Sequence, residues 1–308
     1  MNKENYAFGV KNLLLLGAVL GLAGCVSEVK DEAATPNLSS AAASSIASQA
    51  PSSVSAGSSS SAEKNDTVLM ASNNYDAPKA RVAPIIDGTI DEVWADAPWM
   101  EMSVAWIFES LTAPSGPQDY TGKYKALWTE DHVYLLLDIT DDIIGTSGQF
   151  WEQDTVEIFV DEDQSGGPHG NDHSAFAYHV NYTGSVEDSG GIIEGHINFA
   201  IDKTGAPRYI WEIQMEIYAN HNGYDANAQQ AARVKLHAGK VMGFTPSYID
   251  NDKGVSREHF MSSVNTPGHQ NNQGYLNADS FGTLMLIDWT FLFKADLFIS
   301  TVVHKRSR

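Results

Sequence analysis

The run TVEIFVD (155–161) alternates with a period of two: Val156, Ile158 and Val160 share one face, and Thr155, Glu157, Phe159 and Asp161 the other. RYIWEIQMEIYA (208–219) extends the pattern, setting Tyr209, Trp211, Ile213, Met215 and Ile217 opposite Arg208, Ile210, Glu212, Gln214 and Glu216. Successive side chains of a strand point to opposite faces, so each run can bury one face in a sheet. YKALW, VYLLLDIT, FAYHVNY, HINFAI and FGTLMLI read as further strands, and Gly, Asn, Asp or Pro falls in nearly every gap. Only NAQQAARV (227–234) reads as a short helix. Residues 81–287 are therefore expected to form one all-β domain, a jelly-roll-type β-sandwich of two antiparallel sheets.

The first 25 residues speak to compartment. Lys3 and Lys11 give a positive segment, residues 13–22 an apolar one, and LAGC (22–25) a small-residue cleavage site ending in cysteine. This resembles the lipobox of bacterial lipoproteins, which implies a signal peptide over residues 1–24 and lipidation of Cys25. An ordinary secretory signal is the alternative. Cys25 is the only cysteine among 308 residues, so an intramolecular disulfide is excluded and the thiol is free for an anchor. Val26 after the cysteine resembles outer-membrane sorting, so a lipid anchor at the bacterial outer membrane is expected. Residues 25–80, rich in Ser and Ala, read as a flexible tether, whose 50 or so residues would reach roughly 40 Å. The formal charge of −20 becomes −21 once Lys3, Glu4 and Lys11 are removed, which argues against nucleic acid and anionic lipid as partners.

Four stretches in order carry a family resemblance: IDGTIDEVWADAPW (86–99), KALWTEDHVYLLLDITDD (125–142), WEQDTVEIFVDEDQSGG (151–167) and NADSFGTLMLI (277–287). Together they resemble family 9 carbohydrate-binding modules, within a wider group that includes DOMON-like domains. The resemblance implies non-catalytic binding of a plant-type polysaccharide or oligosaccharide such as xylan, structural Ca²⁺, and glycoside hydrolases as companions. It gives Trp151 the role of one of two aromatic clamps on a pyranose ring, and Glu157 that of hydrogen-bonding the sugar hydroxyls. An indole face suits the C–H face of a sugar, with planar acceptors at the ring edge. If the strand ran back to it, Trp151 would share the parity of Thr155, Glu157 and Phe159. The family's binding arginine falls at His179, with Asn181 beside it as a further hydrogen-bonding group. No tryptophan lies between Trp211 and Trp289, so Phe260 or Tyr275 has to replace the second clamp.

In DEDQSGGPHGNDH (161–173), Asp161, Asp163 and Ser165 alternate before a glycine pair. Oxygen ligands so spaced suit Ca²⁺, with Asp172 as a further ligand, or else form a solvated acidic turn; the resemblance favours calcium. His169 and His173 lack a strong third ligand for zinc. The aspartates of DITDD (138–142), of IDGTID and at Asp250 and Asp252 read as turn-capping groups, with a second cation site as the alternative. A glycosidase would need two facing carboxyl groups about 5 to 10 Å apart. Glu157 could be paired with Asp161, Glu212 or Glu216, as acidic residues of any β protein could. The other class in view is a haem-binding DOMON-like electron-transfer lipoprotein using some of the eight Met and ten His. The apolar, basic-ended tail (288–308) has no assigned role.

Overall fold

The alternating runs all form strands. The computed structural model describes residues 67–169, 174–188, 191–193, 195–219 and 230–288. Cys25, most of the tether, Asp172, His173 and residues 289–308 lie outside that set. The first strands are β1 (Val68–Leu69), β2 (Asn74–Pro78), β3 (Trp99–Glu101), β4 (Val104–Ala105), β5 (Tyr120–Trp128), β6 (Val133–Asp141), β7 (Thr155–Asp161) and β8 (Phe176–Asn181). They are followed by β9 (Val186–Asp188), β10 (Gly191–Ile192), β11 (Ile197–Asp202), β12 (Arg208–Met215), β13 (Val241–Asp250), β14 (His259–Ser262) and β15 (Thr283–Ile287). Of the expected helix, residues 230–232 are helical and the preceding ones lie outside the described residues.

Two sheets form a sandwich. One runs β1-β3-β5-β6-β12-β11, the other β10-β9-β8-β7-β13-β14-β4, with β15 against β13 and β2 against β15. The expectation of antiparallel sheets holds except at two pairings, β1 with β3 and β2 with β15, which are parallel. Both sheets are therefore mixed. The exceptions arise because the chain enters the domain earlier than the Ser/Ala composition suggests. β1 and β2 lie within the stretch read as tether, and Tyr75 and Ala77 of β2 are buried in the core.

Val156, Ile158 and Val160 of β7 pack between the sheets with Tyr178, Trp211 and Ile213. The opposite parity gives each sheet an outer face with its own apolar cover. Phe159 of β7 joins Trp106, Phe260 and Phe281 outside one sheet, and Ile210 of β12 joins Trp94, Trp99 and Leu136 outside the other. Both faces of β7 are buried, so its polar residues sit among apolar ones.

The DGxxDExW signature acts as a latch on the second of these covers. The carboxylate of Glu212 on β12 is fully buried and accepts from Trp94 Nε1 at 3.0 Å and from the backbone N–H groups of Asp87 and Gly88 at 3.1 and 2.9 Å. Gly88 has φ +88°, and a side chain there would press on the Asp202 backbone. Only glycine adopts that conformation without strain.

Candidate functional site

The register of the second sheet brings the named polar residues side by side. Glu157 on β7 pairs directly with His179 on β8, and Thr155 with Asn181. Above them lies a cavity of about 370 Å³, with Trp151, Glu157, His179, Arg257, Phe260 and Tyr275 in its lining. That is a size suited to a small ligand. Trp151 lies in the turn before β7, not on the strand, yet it opens onto the same outer face as Glu157 and Phe159. Trp151 and Tyr275 are 40% and 44% exposed, so two aromatic rings stand at the mouth while the floor is buried.

Of the two candidates for the second clamp, Tyr275 is the accessible one. Phe260 lines the cavity but is 2% exposed, its ring held edge-on to Trp106 at 4.5 Å. Phe150 wedges between Trp151 and His179 with ring centroids at 4.7 and 4.9 Å, fixing both. Asn181 does not reach the cavity. Its amide donates to Ser185 Oγ and Glu187 Oε1 at 3.0 and 3.2 Å. His179 stands where the family's arginine falls, and a guanidinium reaches the cavity from elsewhere: Arg257, from the β13–β14 connection, lies over the rings of Phe108 and Phe260 at 5.2 and 5.3 Å. Asp188 also lines the cavity. A single strand motif could not announce these residues, because Arg257 enters from a distant turn and Asp188 from another strand.

His179 Nε2 stands 3.3 Å from Glu157 Oε1, and Nδ1 faces the Ala177 carbonyl at 3.0 Å. Burial pushes the Glu157 carboxyl up to about 8, Arg257 opposing and Asp188 adding to the shift. Burial pushes His179 down to about 3. At neutral pH the contact therefore joins a neutral carboxyl and a neutral imidazole, and it is not an ion pair. The raised Glu157 stabilises the fold at low pH, and this contribution is lost as pH rises from the unfolded value towards about 8. The depressed His179 contributes stability that is lost as pH falls from 6.5 towards about 3. The two trends oppose each other where they overlap, leaving Glu157 alone from about 6.5 to 8. Unfolding free energy should fall by about 2 kcal/mol across that window relative to Glu157→Gln. Parallel denaturant melts of the two proteins in saturating calcium check this; equal slopes would refute it.

The carboxyl groups that the sequence offered as partners for Glu157 do not assemble around it. Asp161 is four residues along the same strand, about 13 Å away at the usual rise per residue, beyond the span glycosidases use. Glu212 belongs to the other sheet and is committed to the latch. Glu216 pairs with Arg233 at 2.9 Å, also away from the cavity.

In the acidic loop, Asp161 Oδ2 accepts from Gly166 N at 2.7 Å and Asp163 Oδ1 from Ser165 N at 3.0 Å. Both carboxylates thus cap turns, although Asp161 Oδ1 is buried without a partner. His169 is tied to the Gly274 carbonyl at 2.8 Å. A denser cluster forms from residues far apart in sequence. Asp141, Asp250 and Asp252 bring carboxylate oxygens within 4.8 Å of one another, and Asp119 lies within the same reach of Asp250 and His259, and of Asp142 and Asp252. Asp250 is 0% exposed, and neither of its oxygens has a hydrogen-bond partner. Burial and the neighbouring carboxylates push Asp250 up to about 9, Asp154 to about 8 and Asp141 to about 7. Oxygen ligands of this number and charge fit a hard divalent cation, which would satisfy the orphaned oxygens.

A larger cavity of about 690 Å³ reaches the outer face of the other sheet. Its Arg208 and Lys123 are engaged with Asp138 at 2.6 and 3.3 Å, and it has no exposed aromatic platform.

A β-sandwich with an aromatic-mouthed cavity has the make-up of a binding module. The sequence matches the family described as carbohydrate family 9 binding domain-like over residues 86–289, and the chain belongs to that family. Endo-1,4-beta-xylanase A of Thermotoga neapolitana is 31% identical over 120 residues, 39% of this chain and 10% of that enzyme. Exoglucanase XynX of Acetivibrio thermocellus is 23% identical over 210 residues, 66% of this chain and 16% of that enzyme. The chain thus aligns with only about a tenth to a sixth of these relatives' lengths. Among solved structures, a carbohydrate binding module family 9 from Caldicellulosiruptor kristjanssonii in complex with cellotriose shares the fold. The TM-score is 0.54 at 18% identity, covering 70% of this chain and 94% of that one. Its glucose complex gives 0.54 at 19%, covering 69% and 96%.

Proposed function

We propose that the protein binds a neutral oligosaccharide without cleaving it, one pyranose face lying on Trp151 and the hydroxyls meeting Glu157, His179 and Arg257. The observation that carries this reading is Glu157 Oε2: it is buried at the floor of the cavity and meets no protein partner. A buried polar atom left unsatisfied costs about 1–3 kcal/mol, a cost that a ligand hydroxyl would remove. Tyr275 is the second wall of the clamp. The cellotriose and glucose complexes of the solved relatives, together with the xylanase relatives, support β-1,4-linked glucan or xylan as the ligand class.

Calcium belongs to this reading as a structural ion. The cluster of Asp119, Asp141, Asp250 and Asp252 is the better site for it, and the loop bearing Asp161 and Asp163 a lesser one. Cys25 carries the lipid that anchors the chain at the outer membrane, and the Ser/Ala stretch holds the sandwich away from the bilayer. Captured chains would be kept near the cell for separate glycoside hydrolases.

Calorimetric titration with xylo- and cello-oligosaccharides tests the binding step, and no heat with any of them would overturn it. Arg257→Met keeps an unbranched side chain of similar reach and removes the donors. One charge-assisted hydrogen bond lost corresponds to roughly tenfold weaker binding. Unchanged affinity in that variant would remove Arg257 from the site.

A further inference from the structure

Two turns meet between the sugar cavity and the acidic cluster. Residues 145–154 carry Trp151, and residues 250–258 carry Arg257. Their contact is close: a side chain at Gly145 would stand 1.9 Å from the Asn251 carbonyl oxygen. Asp154 accepts from Gly145 N on its own turn, and from Asn251 N across the contact at 2.7 Å. The Asn251 amide donates to the Glu152 carbonyl, and the Glu152 carboxylate accepts from Arg257 N at 2.8 Å. Asn251 Oδ1 accepts from Gly254 N at 2.7 Å, bracing the second turn internally. Asp154 and Asn251 are both fully buried. Glu152 follows Trp151 in the chain, and Asn251 sits between Asp250 and Asp252, two members of the cluster.

We infer that the cation cluster and the sugar clamp are one linked device, in which a divalent cation at Asp141, Asp250 and Asp252 raises sugar affinity through Asn251, Glu152 and Asp154. The inference rests on the saccharide reading above. Without a cation, three carboxyl groups crowd one buried spot, and neither oxygen of Asp250 has a partner. The part with most freedom to shift is the turn after β13, which carries Asp252, since Asp141 and Asp250 sit in paired strands and Asp141 is held by the Tyr248 hydroxyl at 2.6 Å. Any such shift pulls on the bonds from Asn251 and Arg257 to Glu152, and therefore on the seating of Trp151 and Arg257. A cation ligated by all three residues ties Asp252 to the strand ends and sets the turn. Glu152 and Asn251 are positioning residues here, acting on the sugar only through Trp151 and Arg257. By linkage, the sugar must tighten the cation by the same factor.

The test is calorimetry on the folded domain with its tether. A cello-oligosaccharide is titrated in calcium and in chelator, and calcium is titrated with and without saturating sugar, all at low temperature with the fold verified by circular dichroism. The expected coupling is about tenfold in each direction, within the usual range for linked sites. Glu152→Ala, which removes the bond to Arg257 N and keeps the carbonyl bond to Asn251, should reduce both factors while calcium still binds. Asn251→Ala should do the same if it folds, and the Glu152 variant decides the matter if it does not. Equal sugar affinity in calcium and chelator, or full coupling retained in Glu152→Ala, overturns the inference alone. Absence of sugar binding in both conditions overturns the saccharide reading, and the coupling with it.

Discussion

Replacing Trp151 by alanine should reduce oligosaccharide affinity at least thirtyfold, a loss of about 2 kcal/mol or more of the kind seen at aromatic anchors of binding sites. Trp151 is 40% exposed and touches the fold mainly through an edge contact with Phe150, so the melting temperature should hardly move. Phe260 makes the contrast, because it lines the same cavity but belongs to the apolar cover around Trp106. Phe260→Ala should cost about 3–5 kcal/mol of stability, as aromatic truncations in cores do. Calorimetry and thermal melts on the two variants separate a gripping ring from a supporting one. If Trp151→Ala binds as the wild type does, the clamp lies elsewhere.

Chelation should lower the melting temperature by about 10 °C. A ligand present at a thousand times its dissociation constant contributes about 4 kcal/mol to stability, and each kcal/mol shifts a domain of this size by about 2–4 °C. Asp250→Asn should reverse in sign between conditions. In calcium it removes a ligand and destabilises; in chelator at pH 8 it removes a buried, partnerless carboxyl that only the unfolded chain ionises freely, and the variant should melt above the wild type. Differential scanning calorimetry in both buffers gives four melting temperatures. The account of the cluster fails if chelator leaves the wild type unchanged, or if the variant melts lower in both.

Much of the fold was legible because strand alternation is a local property. Val156, Ile158 and Val160 face the core for the reason their spacing suggested, and Trp211 and Ile213 likewise. The parallel edges were not legible. Whether β2 lies parallel to β15 depends on where the two ends of the domain meet, and the Ser/Ala-rich stretch just ahead of β1 hid the domain's true start. Glu157 and His179 could be paired on paper once β7 and β8 were seen as neighbours. Asn181 shares the parity of His179, but the chain turning after β8 supplies Ser185 and Glu187 as its partners.

The sequence by itself determined the β class and the face of β7 that carries Glu157, both set by spacing along one segment, and the family resemblance supplied the candidacy of Trp151. The tertiary structure alone decided which guanidinium reaches the cavity, which aromatic stands opposite Trp151, and where carboxylates converge. Arg257 stands a hundred residues from Glu157, and Asp119, Asp141 and Asp250 come from three separated segments. Such encounters depend on how strands are ordered in a sheet and how turns pack across it, and no periodicity within a segment encodes them.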